Sequence, residues 1–192
     1  MNDFTFYFRE GILHIADWKG YDHILFITAL CLPYLLAEWK RVLILITAFT
    51  IGHSVTLALS VFEQLLIPSN WIEFLIPVTI VVTALENLWR NSTNRSHSRW
   101  RYLTALLFGL IHGMGFSNYL KSMLGKTANI TGELLAFNLG LEAGQLLIVG
   151  LIMLMGFVFV QVLQTNRRDW LLFTSGGIFG LAFVMALERI PF

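Results

Sequence analysis

The chain has 192 residues, of which 56% are apolar and only 13% charged, with a formal net charge of +1. A water-soluble domain carries about 25% charged residues, and the mean hydropathy here is +0.69, so there is too little polar surface to coat a soluble globule. The balanced charge and the absence of a long basic run exclude a disordered chain and a nucleic-acid binder; the composition is that of an integral membrane protein.

In chain order, residues 4–19 mix Phe4, Phe6, Phe8, Ile12, Ile15 and Trp18 with charges, the pattern of an amphipathic helix lying in the membrane interface. Asp3, Arg9, Glu10, Asp17 and Lys19 interrupt any apolar core that a secretory signal would need. A helical crossing takes about 20 apolar residues, and six stretches qualify: 21–38, 41–62, 71–89, 102–124, 133–163 and 169–188. Glu38, Lys40 and Arg41 end the first, Pro68-Ser69-Asn70 turns the chain after the second, and a polar loop over 90–101 follows the third. The fifth stretch is overlong, so it is either tilted or partly outside the bilayer. The expected fold is therefore all-α, one transmembrane domain over 1–192, built as a bundle of about six helices with an N-terminal interfacial segment.

Eight of the 13 basic residues fall in the loops joining spans 1–2, 3–4 and 5–6, and positive charge favours the cytoplasmic side, which places both termini outside. Trp39, Trp71, Trp89, Trp100 and Trp170 lie near span ends as interface anchors. Cys31 is the single cysteine, which excludes an intramolecular disulfide and leaves it as a small buried hydrophobe.

Ionisable residues inside a span cost several kcal/mol unless paired, hydrated or ligated, and they mark function. Four groups stand out. The first holds His14, then Gly20-Tyr-Asp22-His23. His14 precedes His23 by nine residues, half a turn out of phase on a straight helix, so the two meet only if the chain breaks near Gly20. Asp22 reads as an orienting carboxylate behind a histidine or as a helix N-cap. The second group is on span 2, where Thr47, Thr50 and Ser54 form a polar stripe bordered by His53, with Thr56 one turn beyond. The third is His112 on span 4, among Gly109, Gly113 and Gly115, small residues that permit close helix approach. The fourth is the face Asn138, Glu142 and Gln145 on span 5, at i, i+4 and i+7. Glu86 lies near the cytoplasmic end of span 3, as an interfacial carboxylate or as part of an exit route.

Counting about 1.5 Å per residue, His23, His53, His112, Asn138 and Glu142 converge from four helices between the outer surface and the bilayer centre. Three imidazoles and a carboxylate are ligands for a divalent transition metal such as zinc or nickel. The expected ligands are His23, His53, His112 and Glu142. The expected partners behind them or along the path are His14, Asp22, Thr50, Ser54, Thr56, Glu86, Asn138 and Gln145.

Taken in order, these motifs resemble the HupE/UreJ family of small bacterial membrane proteins. The matching residues are His14-Ile, Gly20-Tyr-Asp22-His23-Ile-Leu-Phe, Thr47-Ala-Phe-Thr-Ile-Gly-His53-Ser-Val-Thr56-Leu, Phe108-Gly-Leu-Ile-His112-Gly-Met-Gly-Phe and Phe137-Asn138-Leu-Gly-Leu-Glu142-Ala-Gly-Gln145. The resemblance implies a hydrogenase or urease accessory of the bacterial cytoplasmic membrane, with nickel permeation as its activity. Seven residues separate His14 from the Asp22-His23 pair, more than in the nickel-linked form of the family, which sets His14 beside the ligand set.

Two readings follow. One is a divalent-metal transporter or uptake accessory, for nickel, cobalt or zinc, in which metal rests at His53, His112 and Glu142 and leaves past Glu86. Phe49-xxx-His53 and Phe108-xxx-His112 hint at two inverted three-helix halves for it. The other is a zinc-dependent intramembrane hydrolase acting on a lipid or membrane peptide, with Glu142 as general base. The partners in either case are the metal ion and membrane lipid, with no nucleic acid. The Ser175-Gly-Gly-xx-Gly180 strip packs within the bundle or joins protomers of a homo-oligomer.

Overall fold

The computed structural model describes residues 3–18, 20–62, 68–89, 98–124 and 130–191. Lys19, the stretch at 63–67 before the expected turn, most of the polar loop (90–97) and residues 125–129 lie outside the described residues. Every described element is helical: α1 Asp3–Ile15, α2 Asp22–Cys31, a 3-10 turn Leu36–Glu38, α3 Trp39–Val61, α4 Ser69–Trp89, α5 Ser98–Gly115, α6 Ser117–Leu124, α7 Ile130–Phe157 continued by a π turn Val158–Val162, and α8 Arg167–Glu188.

Four of these, over Leu36–Val61, Ser69–Trp89, Ile130–Val162 and Arg167–Glu188, are long and apolar enough to cross a membrane. Two expected spans are built differently. The stretch 21–38 yields only the ten-residue α2. Pro33 has no N–H to offer the carbonyl of Ala29, so the helix cannot continue; the side chain of Asn87 on α4 takes that freed carbonyl instead, at 2.7 Å. The stretch 102–124 divides at Phe116 into α5 and α6, just past Gly113 and Gly115. The fifth stretch is a 33-residue helix with its π turn, about 50 Å long against a hydrocarbon layer of about 30 Å. Gln164, in the left-handed region at φ 53°, turns the chain out of it, and Asn166 caps α8 by accepting the Arg168 N–H at 2.8 Å.

The N-terminal segment does not lie apart from the bundle. Tyr7, Gly11 and Ile15 make a buried face laid lengthwise against α7. A Cβ on Gly140 would strike the carbonyl of Phe8, and one on Gly11 the carbonyl of Phe137, while Gly144 meets Ile12. Positions rise together along both helices, so α1 and α7 run parallel. A second glycine-packed pair repeats the arrangement: Gly109 of α5 meets Phe49 of α3, and Gly113 meets His53 and Thr56. α3 and α5 also run parallel. The two Phe-xxx-His helices thus lie side by side in the same direction. The shared core between these pairs includes Phe26, Phe49, Phe137, Leu45, Leu57, Ile80 and Leu141, all fully buried, and Cys31 is buried with them.

Candidate metal centre

Four histidines from four helices meet where α1 stops and α2 starts. His14 lies in the last turn of α1 and His23 in the first turn of α2, and their ring centroids are 4.6 Å apart. His53, midway along α3, stands 5.9 Å from each of them, and the His112 ring is 5.1 Å from that of His23. His53 and His112 are fully buried. Phe26, Phe49, Phe116 and Phe137 wall the group, with Phe116 3.7 Å from the His14 ring.

Ligand nitrogens of His14, His23 and His53 all lie within 4.8 Å of one another. Nitrogens sharing one tetrahedral ion, each at about 2.1 Å, lie about 3.4 Å apart, so the rings need to draw together by about 1 Å to share a metal. The unpartnered atoms fit the same reading. His14 Nε2, His23 Nε2, both nitrogens of His53 and His112 Nδ1 are buried without a hydrogen-bond partner among the described residues. Each such atom costs about 1–3 kcal/mol, a cost that a shared cation would relieve.

The partners behind the rings are specific. Asp22 Oδ1 lies 3.1 Å from His23 Nδ1 and accepts the His23 backbone N–H at 2.9 Å, which leaves Nε2 to face the group. The other Asp22 oxygen lies 3.7 Å from Arg189, just beyond the end of α8. His112 Nε2 meets Thr79 Oγ1 at 3.0 Å, so this ring is held against α4, and it lies outside the group of three.

Thr50, Ser54, Asn138 and Gln145 form a separate polar seam between α3 and α7. Ser54 donates to Asn138 Oδ1 at 2.8 Å and Thr50 bonds Gln145 Oε1 at 2.6 Å. Glu142, half-buried on the same face of α7, lies between those two bonds in sequence and is not in the grouped ligand set. Thr56 bonds back to the carbonyls of Gly52 and His53. Glu86 is not free: Arg101 Nε donates to its Oε1 at 3.0 Å. Sequence reasoning placed His14 beside the ligands, missed Thr79 and Asn87, and counted Arg101 as a loop charge. The signal available for these was on α4, where Thr79, Thr83, Glu86 and Asn87 share one helical face.

No curated protein and no solved structure matches the chain. The family model described as HupE / UreJ protein matches residues 1–189, essentially the whole chain, and that extent agrees with an all-helical, membrane-suited bundle that gathers histidines at its centre. The chain belongs to the HupE/UreJ family.

Proposed function

We propose that the protein carries a divalent transition metal (nickel, cobalt or zinc) across the bacterial cytoplasmic membrane, or delivers it there as an uptake accessory. The observation that carries this reading is the trio of imidazole nitrogens within 4.8 Å at the break between two helices. Imidazole suits nickel and zinc alike, and the family's link to hydrogenase and urease favours nickel. Discontinuous helices whose ends meet near mid-membrane are a recurrent way to build a transport site.

The route follows from the helix directions. α1 runs parallel to α7, and α2 continues the same way, since His23 meets His112 beside Thr79 while Ala29 meets Asn87. Together α1 and α2 hold 23 helical residues, about 35 Å of rise, enough for one broken crossing. With α3, α4, α5–α6, α7 and α8 that makes six crossings with both termini outside. Metal enters beside α1, rests on His14, His23 and His53, and passes to His112. Glu142, in the seam between α3 and α7, exchanges the compensating proton. In the hydrolase alternative Glu142 would be the general base beside the bound water; it lies outside the histidine group, which supports transport over hydrolysis.

The test is uptake of Ni²⁺, Co²⁺ and Zn²⁺ by proteoliposomes holding the wild type or His53→Ala. Saturable uptake of at least one ion, lost in the variant, is the expected result. Absence of uptake for all three ions overturns the reading.

A further inference from the structure

Past the histidines, the polar face of α4 runs on toward the other end of the bundle. Thr79 meets His112, Thr83 donates to the Thr79 carbonyl at 2.8 Å, and Glu86 and Asn87 follow at the next turn of the same face. There the stripe ends on Arg101 of α5, whose Nε donates to Glu86 at 3.0 Å and whose Nη2 donates to Asn87 Oδ1 at 2.5 Å. Asn87 Nδ2 in turn donates to the Ala29 carbonyl of α2. The Tyr34 ring lies 5.7 Å from the guanidinium carbon. Thus α2, α4 and α5, which meet once at His23, Thr79 and His112, meet again about 12 Å further on, counting eight residues from Thr79 to Asn87.

Arg101 is 2% exposed, and its Nη1 has no hydrogen-bond partner among the described residues. Tying three helices together would need only neutral amides, as the bond from Asn87 to Ala29 already shows. A guanidinium stays charged wherever it is placed. Buried at the end of a polar stripe and paired there with Glu86, it occupies the carboxylate and amide oxygens that a cation leaving this way would need, and at close range it repels a divalent ion twice as strongly as a monovalent one.

We propose that Arg101 is the barrier that closes the inner end of the metal route. In the closed state it occupies Glu86 and Asn87; an ion leaves when Glu86 exchanges the guanidinium for the metal. This inference rests on the transport reading above.

The experiment compares wild type, Arg101→Gln and Arg101→Lys in proteoliposomes under a Ni²⁺ gradient, with Ni²⁺ affinity of the detergent-solubilised proteins measured in parallel. Arg101→Gln should raise passive Ni²⁺ flux by about threefold or more while leaving affinity within about twofold, because the charge lies well beyond the histidines. Arg101→Lys keeps the charge but loses the planar fork, and its flux falls between the two. Absence of wild-type flux overturns transport and the barrier together. Wild-type flux that Arg101→Gln does not raise, at unchanged affinity, overturns the barrier alone. If Arg101→Gln fails to fold, the wild type still answers. Cys31, the single cysteine, is buried two residues beyond Ala29, and a membrane-impermeant maleimide on the inner side should modify it faster with Ni²⁺ present. Equal rates with and without Ni²⁺ overturn the proposal.

Discussion

The rings of His14 and His23 stand 4.6 Å apart, although their spacing would put them on opposite sides of a continuous helix. They meet because α1 ends at Ile15 and α2 begins at Asp22. The break does more than bring two imidazoles together. The last carbonyls of α1 lack intrahelical partners and give that end a partial negative charge, which favours a cation. The opposing N-terminus of α2 is the positive end, and there the Asp22 carboxylate offsets it.

Removing any of the three grouped imidazoles should therefore abolish tight binding. His14→Ala, His23→Ala and His53→Ala are each expected to weaken Ni²⁺ or Zn²⁺ affinity by about 100-fold or more. Asp22→Asn, which weakens the support for His23 Nδ1 and the pairing with Arg189, should cost about 10- to 100-fold. Chelator-competition titration of detergent-solubilised protein checks both figures, and His14→Ala at wild-type affinity would remove His14 from the site.

The two parallel helix pairs make a second prediction, on stability. Gly109→Ala and Gly140→Ala would each drive a methyl into the backbone of the neighbouring helix, and overpacking of this kind costs about 1–3 kcal/mol. Gly176 and Gly177 on α8 face open space, with nothing within 4 Å of an added Cβ, so alanine there should be tolerated and gain up to about 1 kcal/mol of helix propensity. Thermal unfolding in detergent should rank Gly109→Ala and Gly140→Ala below wild type, and Gly176→Ala at or above it.

These contacts also show where sequence reasoning reaches its limit. The membrane class and the all-helical fold follow from composition, because 56% apolar residues leave no soluble alternative. His23 and His53 are conspicuous since an imidazole in an apolar run is costly. His14 stands out less as a ligand, because it sits in a segment rich in charges, and its parallel seat on α7 through Gly11 and Gly140 carries it into the bundle. The shortness of α2 was written in Pro33, but a hydropathy window averages over a single missing N–H. Arg101 was hidden by the same averaging, since the positive residues around it mark a loop while its partners Glu86 and Asn87 lie on another helix.

Among the described residues, Thr79 supplies the hydrogen bond to the His112 ring. Thr79→Val keeps the shape and removes the hydroxyl, so it should cost about 1 kcal/mol of stability and free the His112 ring to turn. His112 is outside the group of three, so the bound metal content should stay within about twofold of wild type, while uptake slows. Metal content by mass spectrometry and flux in proteoliposomes separate the two effects; a fall in both together would place His112 among the ligands.

Glu142 tests how movement of metal is coupled. It lies between the Ser54–Asn138 and Thr50–Gln145 bonds on a face directed at α3, and the histidine group does not include it. A carboxylate that exchanges protons influences flux without holding the metal at rest. Glu142→Gln should then leave equilibrium affinity within about threefold of wild type and reduce uptake by about tenfold, with the residual rate no longer changing when a pH gradient is imposed. Both bonds in the seam remain available to the variant, so folding should be preserved. An affinity loss of about 100-fold would instead make Glu142 a ligand that approaches the histidines once metal binds, and unchanged flux would remove it from the mechanism.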